Sequence, residues 1–148
     1  MEFSGLLNIS LGELSSSTGK IQLEQGAVLS GGEFKVPNSI LVIGNLFNKT
    51  GGSANFAGTN LQLFSDLSLT SDTLISIQSL DLKQQKLNLS DAGSDLEIQN
   101  LLEINDANEG LSTGNADLEF KQGISISAGE GTSTAGRVAI NGTSILSS

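Results

Sequence analysis

Histidine, cysteine, tryptophan and tyrosine are absent from this chain of 148 residues. Without cysteine no disulfide stabilises the fold, and without histidine and cysteine the usual catalytic triads and zinc sites are excluded. All six aromatic residues are phenylalanine. Because a wide globular core normally needs large rings to fill it, this composition favours a narrow interior of aliphatic side chains.

Basic residues are also few, since 7 Lys and Arg stand against 16 Asp and Glu, for a formal net charge of -9. This balance argues against nucleic acid or an anionic membrane surface as a partner. No apolar run approaches the ~18 residues of a membrane span, so we expect no membrane insertion. The opening segment MEFSGLLNIS lacks the basic and apolar parts of a signal peptide. Either the mature chain is intracellular or its export signal lies outside this sequence.

What the chain does have is a regular rhythm of apolar pairs between Leu61 and Ile104. A spacing of two puts both side chains of a pair on one face of a strand, and the polar residues between the pairs are turn formers. Three pairs span roughly twenty residues before the pattern restarts, which is typical of stacked structural repeats. The pairs are Leu61/Leu63, Leu67/Leu69, Ile75/Ile77, Leu80/Leu82, Leu87/Leu89, Leu96/Ile98 and Leu102/Ile104.

The sequence therefore predicts an all-β fold, a three-sided parallel β-solenoid with about six to seven coils of about 19–22 residues. One coil cannot bury its own interior, whereas stacked coils bury continuous columns of side chains. The predicted first strands of the coils start at Ile21, Ile40, Leu61, Leu80, Leu102 and Ile124. The second strands lie near Val28, Leu46, Leu67, Leu87, Leu111 and Thr132, and the third at Phe34, Ala54, Ile75, Leu96, Leu118 and Val138.

We predict a single domain or segment over residues 1–148. Residues 1–20 form an incomplete first coil, residues 21–140 form regular coils, and residues 141–148 start a further coil. The alternative is an antiparallel sandwich or barrel. It is disfavoured because the hairpin dipeptide Asn-Gly occurs once, at Asn141-Gly142, and Asp-Gly does not occur.

The coil corners and the two ends carry further expectations. Asn38, Asn60 and Asn100 each lie one or two residues before a predicted first strand. Their amides could form hydrogen bonds from layer to layer, or asparagine could simply suit a left-handed turn. Neither end shows a capping helix, so strand edges and core are open there. We expect an excised segment, a unit that stacks end to end, or a cap that the sequence does not reveal.

Acidic residues concentrate in the middle of the chain, and one turn there is a calcium candidate. Asn105, Asp106 and Asn108 place oxygen ligands close together in the turn 105–110. The turn does not match an EF-hand, and it lacks the GGxGxD repeats of calcium-binding β-rolls. Solvated acids on a turn explain the same residues without a metal. Beyond possible calcium, we predict no cofactor.

Two pairs of carboxylates occupy equivalent positions of adjacent predicted coils. They are Asp81 with Glu103, and Glu97 with Glu119. Paired carboxylates could hydrolyse glycosides. However, a sugar-cleaving groove normally offers aromatic platforms, and this chain has neither Trp nor Tyr. We therefore predict no catalytic residues and no enzyme.

Two phrases resemble the repeat units of a known class of proteins. SDLSLT at residues 65–70 and GSDLEI at residues 93–98 are similar to the L-x-L units of right-handed β-helix exoproteins. These include the filamentous-haemagglutinin-like adhesins and autotransporter passengers of Gram-negative bacteria. As a pattern, the resemblance covers residues 21–140, with less even coil lengths than the haemagglutinin repeats. It implies an extracellular or cell-surface rod without a small-molecule cofactor.

Three functional hypotheses follow. The first is a structural or adhesive rod segment of a secreted or surface protein that self-associates end to end and meets a glycan or host-surface ligand. The alternative is a carbohydrate-processing or carbohydrate-binding β-helix, such as a phage tailspike or polysaccharide lyase fragment. The third is a calcium-dependent surface or matrix module.

Overall fold

The computed structural model describes residues 1–89, 95–134 and 136–147. In this part of the chain the secondary structure consists of strands and turns. No helix among these residues is long and apolar enough to cross a membrane. The strands are β1 (Glu2–Phe3), β2 (Leu7–Ile9), β3 (Glu13–Ser15), β4 (Lys20–Leu23), β5 (Ala27–Leu29), β6 (Glu33–Lys35), β7 (Ile40–Lys49), β8 (Ser53–Asn55), β9 (Asn60–Ser71), β10 (Ile75–Ile77), β11 (Ser79–Asp81), β12 (Lys86–Leu89), β13 (Leu96–Ile98), β14 (Leu102–Ile104), β15 (Gly110–Thr113), β16 (Leu118–Phe120), β17 (Gly123–Ile126), β18 (Glu130–Ser133), β19 (Val138–Ile140) and β20 (Thr143–Leu146).

Strands of successive coils pair in parallel, while β8 with β10 and β11 with β14 lie in contact where one sheet gives way to the next. Leu67 of β9 lies beside Leu87 of β12, which lies beside Leu111 of β15. A coil contributes one strand to each of three faces, and the long strands β7 and β9 turn a corner and serve the first and second faces together. The chain thus forms a parallel β-solenoid of about seven turns. This confirms the predicted fold class and excludes the antiparallel sandwich.

The interior consists of aliphatic columns that run through the coils. On the second face Leu67, Leu87 and Leu111 are at most 3% exposed. Burying each such side chain contributes about 1.5–3 kcal/mol. The predicted third strands fall in register, as Phe34 pairs with Ala54 and, further along, Leu96 pairs with Leu118. The two-residue rhythm therefore does mark which side chains face inward.

The strands contain the predicted residues Val28, Ile40, Leu46 and Thr132, but at these four places a neighbouring residue occupies the inward row. The first three lie in or beside continuous apolar runs, where every second residue is apolar in either register, so periodicity does not choose the face. Thr132 lies in a stretch of small and polar residues, where the sequence has no apolar pair to mark the inward side. A bulge between Ile43 and Asn45 shifts the register again, and Asn45 adopts a left-handed backbone with φ of 61°. The inward row contains Leu41 instead of Ile40, Ala27 instead of Val28, Phe47 instead of Leu46, and Gly131 instead of Thr132.

The interior is also less uniformly aliphatic than the composition suggests. The rings of Phe34, Phe47 and Phe56 form a cluster with centroids 5.3–6.4 Å apart, two of the contacts being edge-to-face. They fill the core in the coils that hold β6, β7 and β8. The column positions next to them hold Ala27 and Ala54. Small and large side chains therefore alternate there.

Candidate binding surface on the outer faces

A shallow groove runs along the outside of the second face. Its floor is a row of outward polar side chains, one from each of four successive coils: Ser68, Asn88, Ser112 and Thr132. They alternate with inward residues such as Leu67, Leu87 and Leu111 because successive residues of a strand point to opposite faces. We call this surface the second-face groove; its volume is about 420 Å³.

Charged residues border the second-face groove. The backbone N–H of Lys86 donates to Oδ1 of Asp66 at 2.8 Å, and Nζ of Lys86 lies 3.8 Å from Oε1 of Glu130. The groove therefore offers hydroxyl and amide groups at a repeat of ~4.8 Å, with charges of both signs along it. This surface was not predicted from the sequence, although the middle residues of the L-x-L units contained the signal.

The predicted pair Glu97 and Glu119 does lie side by side, on the outside of the third face. Nζ of Lys121 bridges them, at 2.9 Å from Glu97 and 2.8 Å from Glu119. Hydrogen bonds from Lys121 and Ser76 hold the pKa of Glu97 below its ordinary value. Those from Lys121 and Asn141 lower the pKa of Glu119. Both carboxyls are thus ionised at neutral pH, which makes either a poor general acid.

The other predicted pair lies on β11 and β14, two contacting strands of the first face. Asp81 lies beside Gln62, and Glu103 lies beside Ser125. Oδ2 of Asp81 is 2.7 Å from Nζ of Lys83, whose pKa is raised by this hydrogen bond. Asp81 also accepts the backbone N–H of Lys83 at 3.2 Å. It acts here as a turn-stabilising residue.

The calcium candidate is a turn whose carboxylates accept protein donors. Oδ1 of Asp106 accepts the N–H of Asn108 at 2.9 Å and its side-chain amide at 3.0 Å. Glu109, only 7% exposed, accepts the N–H of Asn105 at 2.9 Å. These bonds account for the acids as turn caps, and among the described residues no three His, Cys, Asp or Glu side chains cluster as metal ligands. Calcium binding stays a prediction, supported if calcium raises the melting temperature and Asp106→Asn abolishes the rise.

The corner asparagines split between the two predicted roles. Asn60 accepts a hydrogen bond from Oγ of Ser79 at 2.6 Å, and Asn100 accepts one from the side chain of Gln78 at 2.7 Å. Both bonds cross between coils, with serine and glutamine rather than asparagine as donors. Asn38 instead adopts a left-handed backbone with φ of 54°.

One ion pair was not predicted at all. Lys49 occupies an inward row between Leu29 and Ser71 and is 4% exposed. Its ammonium forms a salt bridge with Asp72 of the next coil, whose side chain is 47% exposed. A buried lysine normally needs a partner of opposite charge. Asp72 supplies that charge at the corner between the second and third faces.

No protein-family model, curated protein or solved structure matches this chain. The fold defines its class as a parallel β-solenoid. Gly93 and Ser94, which begin the phrase GSDLEI that resembles the exoprotein repeats, lie outside the described residues.

Proposed function

We propose that the chain is a structural and adhesive rod, a segment of a secreted or cell-surface protein that holds an extended polar ligand, such as a glycan, along the second-face groove. The observation that carries the proposal is the polar row Ser68, Asn88, Ser112 and Thr132. It lies on the back of the buried leucine column and is fixed by the same strands.

The rigidity of the support favours this role. Binding groups held on paired strands need little reordering when a ligand arrives, so less affinity is lost to ordering. The groove repeats hydrogen-bonding groups at the spacing of the coils, which suits a linear polymer with regularly placed hydroxyls. The resemblance to adhesin repeats supports the same role and an extracellular location.

The test is adhesion of beads coated with the chain to a panel of immobilised polysaccharides and host-cell glycans. The variant Asn88→Ala/Ser112→Ala changes two exposed groove residues and should weaken adhesion at least about tenfold without changing the melting temperature. Gln22→Ala, on the outside of the first face, is the matched control and should adhere normally. Equal adhesion of all three proteins would contradict the proposal.

A second candidate function is carbohydrate processing, favoured by the carboxylates Asp66 and Glu130 that line the groove. New reducing ends released from a bound polysaccharide would support it, provided that Asp66→Asn or Glu130→Gln abolishes the release. The variants Asp81→Asn and Glu103→Gln test the predicted first-face pair of carboxylates in the same release assay. Binding without release of new ends supports the adhesive rod.

A further inference from the structure

The strands at the C-terminal end of the solenoid can be continued by those at the N-terminal end of another copy, except that the first face has one strand more than the other two faces. Within the described residues the first face contains eight strands, whereas the second and third faces contain seven each. The first-face strands are β1, β4, β7, β9, β11, β14, β17 and β20; the second-face strands are β2, β5, β7, β9, β12, β15 and β18; the third-face strands are β3, β6, β8, β10, β13, β16 and β19.

This excess decides how a second copy could continue the stack. In a head-to-tail stack of two copies of this chain, β2 of the following copy would lie on β18, on the second face. The β1 strand of the following copy would then fall where β20 already lies. Both strands cannot occupy one position, so head-to-tail stacking requires one of them to leave.

The shorter strand is the one that should leave. β1 has two residues, and Met1 is 63% exposed. β20 has four residues in register with all four of β17. In the first coil Phe3 lies beside Leu23 of β4, and at the other end Leu146 continues the same inward column beyond Ile126. Leu146 of one copy can thus take the place of Phe3 in the next.

The C-terminal end of the solenoid exposes an apolar surface that the first coil of a second copy can cover. Val138, Ile140 and Leu146 are 42%, 41% and 77% exposed. They border an open cavity of about 180 Å³, which exists partly because Gly131 and Ser133 occupy column positions that hold Leu111 and Thr113 one coil below. Residues of a further coil would bury this surface.

The charges at the ends are also complementary. Glu13 is the residue before Leu14, the partly buried side chain of β3, and Arg137 is the residue before Val138, the first residue of β19. A junction that stacks Leu14 of one copy on Val138 of the other brings Arg137 against Glu13. Opposite charges at equivalent positions favour this register over others.

We infer that copies of this chain assemble head to tail by strand exchange: β20 of one copy pairs with β4 of the next and displaces its β1. The inference rests on the proposed rod function and specifies how rods join. Such a contact is heterologous and generates open filaments. The third-face strands β19 and β3 then pair across the junction, with Arg137 facing Glu13.

The first test measures assembly by sedimentation velocity over a range of concentrations. The intact chain should form linear assemblies that lengthen with concentration, and Leu146→Asp should weaken association at least about tenfold, because a carboxylate in an apolar column has no compensation. Leu74→Asp, at a mid-rod leucine that is 55% exposed, is the matched control and should assemble normally. Leu146→Asp should keep the wild-type melting temperature. A chain that stays monomeric, or is blocked by Leu74→Asp and not by Leu146→Asp, overturns the inference.

A charge exchange gives a second readout that misfolding cannot imitate. Arg137→Glu and Glu13→Arg should each assemble poorly alone, because each places like charges at its own junction. Mixed in equal amounts they should assemble again, since the introduced glutamate of the first variant then meets the introduced arginine of the second. Failure of the mixture to assemble contradicts the proposed register.

The displacement of β1 has its own signature. Because the chain lacks tryptophan, Phe3→Trp provides a single indole, partly buried in the free chain. Its emission should shift to the red on assembly as β1 leaves; assembly without a shift contradicts strand exchange. Adhesion of the monomeric Leu146→Asp variant to glycans, measured in parallel, reports on the rod function independently of assembly.

Discussion

Nζ of Lys121 lies 2.9 Å from Oε2 of Glu97, a residue of the preceding coil. The contact ties two layers together on the outside of the third face, and Lys121 also bridges to Glu119 of its own coil. Side chains on the outer surface thus reinforce the register that the buried columns establish. The contact also makes stability depend on pH.

The cluster predicts loss of stability at both extremes of pH. Lys121 and, for Glu97, Ser76 lower the carboxyl pKa values below the ordinary 4.5, so this contribution is complete above 4.5 and lost as pH falls through the lowered values. Glu119 and Glu97 raise the pKa of Lys121 above 10.5, so its contribution is complete below 10.5 and lost as pH rises through the raised value. In urea unfolding at a series of pH values, the free energy of unfolding of Lys121→Met should depend less on pH than that of the unchanged chain. An equally reduced pH dependence in the exposed Lys20→Met variant would contradict this assignment.

Substitutions at inward and outward positions of the first face should differ sharply in their effect on stability. Leu82 is 1% exposed, so Leu82→Ala should cost about 2–5 kcal/mol of unfolding free energy. Leu82→Asp should cost more, because it buries an unpaired charge. Gln62→Lys should be tolerated, since Gln62 lies on the outside beside Asp81. Thermal melts check this, and equal effects of Leu82→Asp and Gln62→Lys would refute the assignment of inward and outward faces.

The buried Lys49 predicts a non-additive pair of variants. Asp72→Asn leaves the ammonium without its counter-charge and should cost about 1–3 kcal/mol, less than for a fully buried pair because Asp72 is half exposed. Lys49→Met removes the need for a partner and should be nearly neutral or stabilising. In Lys49→Met the second change Asp72→Asn should then have little effect. Additive costs in denaturant unfolding would contradict the pairing.

Replacing a glycine at a coil corner should lower stability, because the backbone there suits only a residue without a Cβ. Gly26 has φ of +84°, and a Cβ there would lie 1.8 Å from the carbonyl oxygen of Leu46. Gly26→Ala should therefore cost at least about 1–2 kcal/mol from the left-handed backbone alone, plus the displacement of Leu46. Gly5 has open space around its Cβ position, so Gly5→Ala is the control. Similar melting temperatures of the two variants would show that the coils do not pack this closely at the corner.

Most of the fold could be predicted because it depends on one simple relation. Paired leucines at a spacing of two recur in each coil, and the third-face positions Ile75, Leu96 and Leu118 fall in register as predicted. The register was ambiguous where apolar residues run without interruption, as around Leu41 and Ala27. There the face is chosen by the neighbouring coils and by the bulge before Asn45, which are tertiary effects.

The surface features were harder to predict because they depend on which coils become neighbours. Glu97 and Glu119 could be paired from the repeat alone, but the bridging Lys121 could not, since its side chain reaches across a layer. Lys49 was missed for a similar reason, as its partner Asp72 follows one coil later. The second-face groove consists of ordinary outward Ser, Asn and Thr residues whose alignment emerges only from stacking.

The account depends most on parallel stacking of each strand with the strand one coil later. Contacts between backbone amides, measured by NMR on the isotope-labelled protein, test this directly. The structure predicts that Leu87 is close to Leu111 and that Leu89 is close to Thr113. Contacts of Leu87 with Thr113 together with contacts of Leu89 with Leu111 would reveal antiparallel strands and contradict the solenoid.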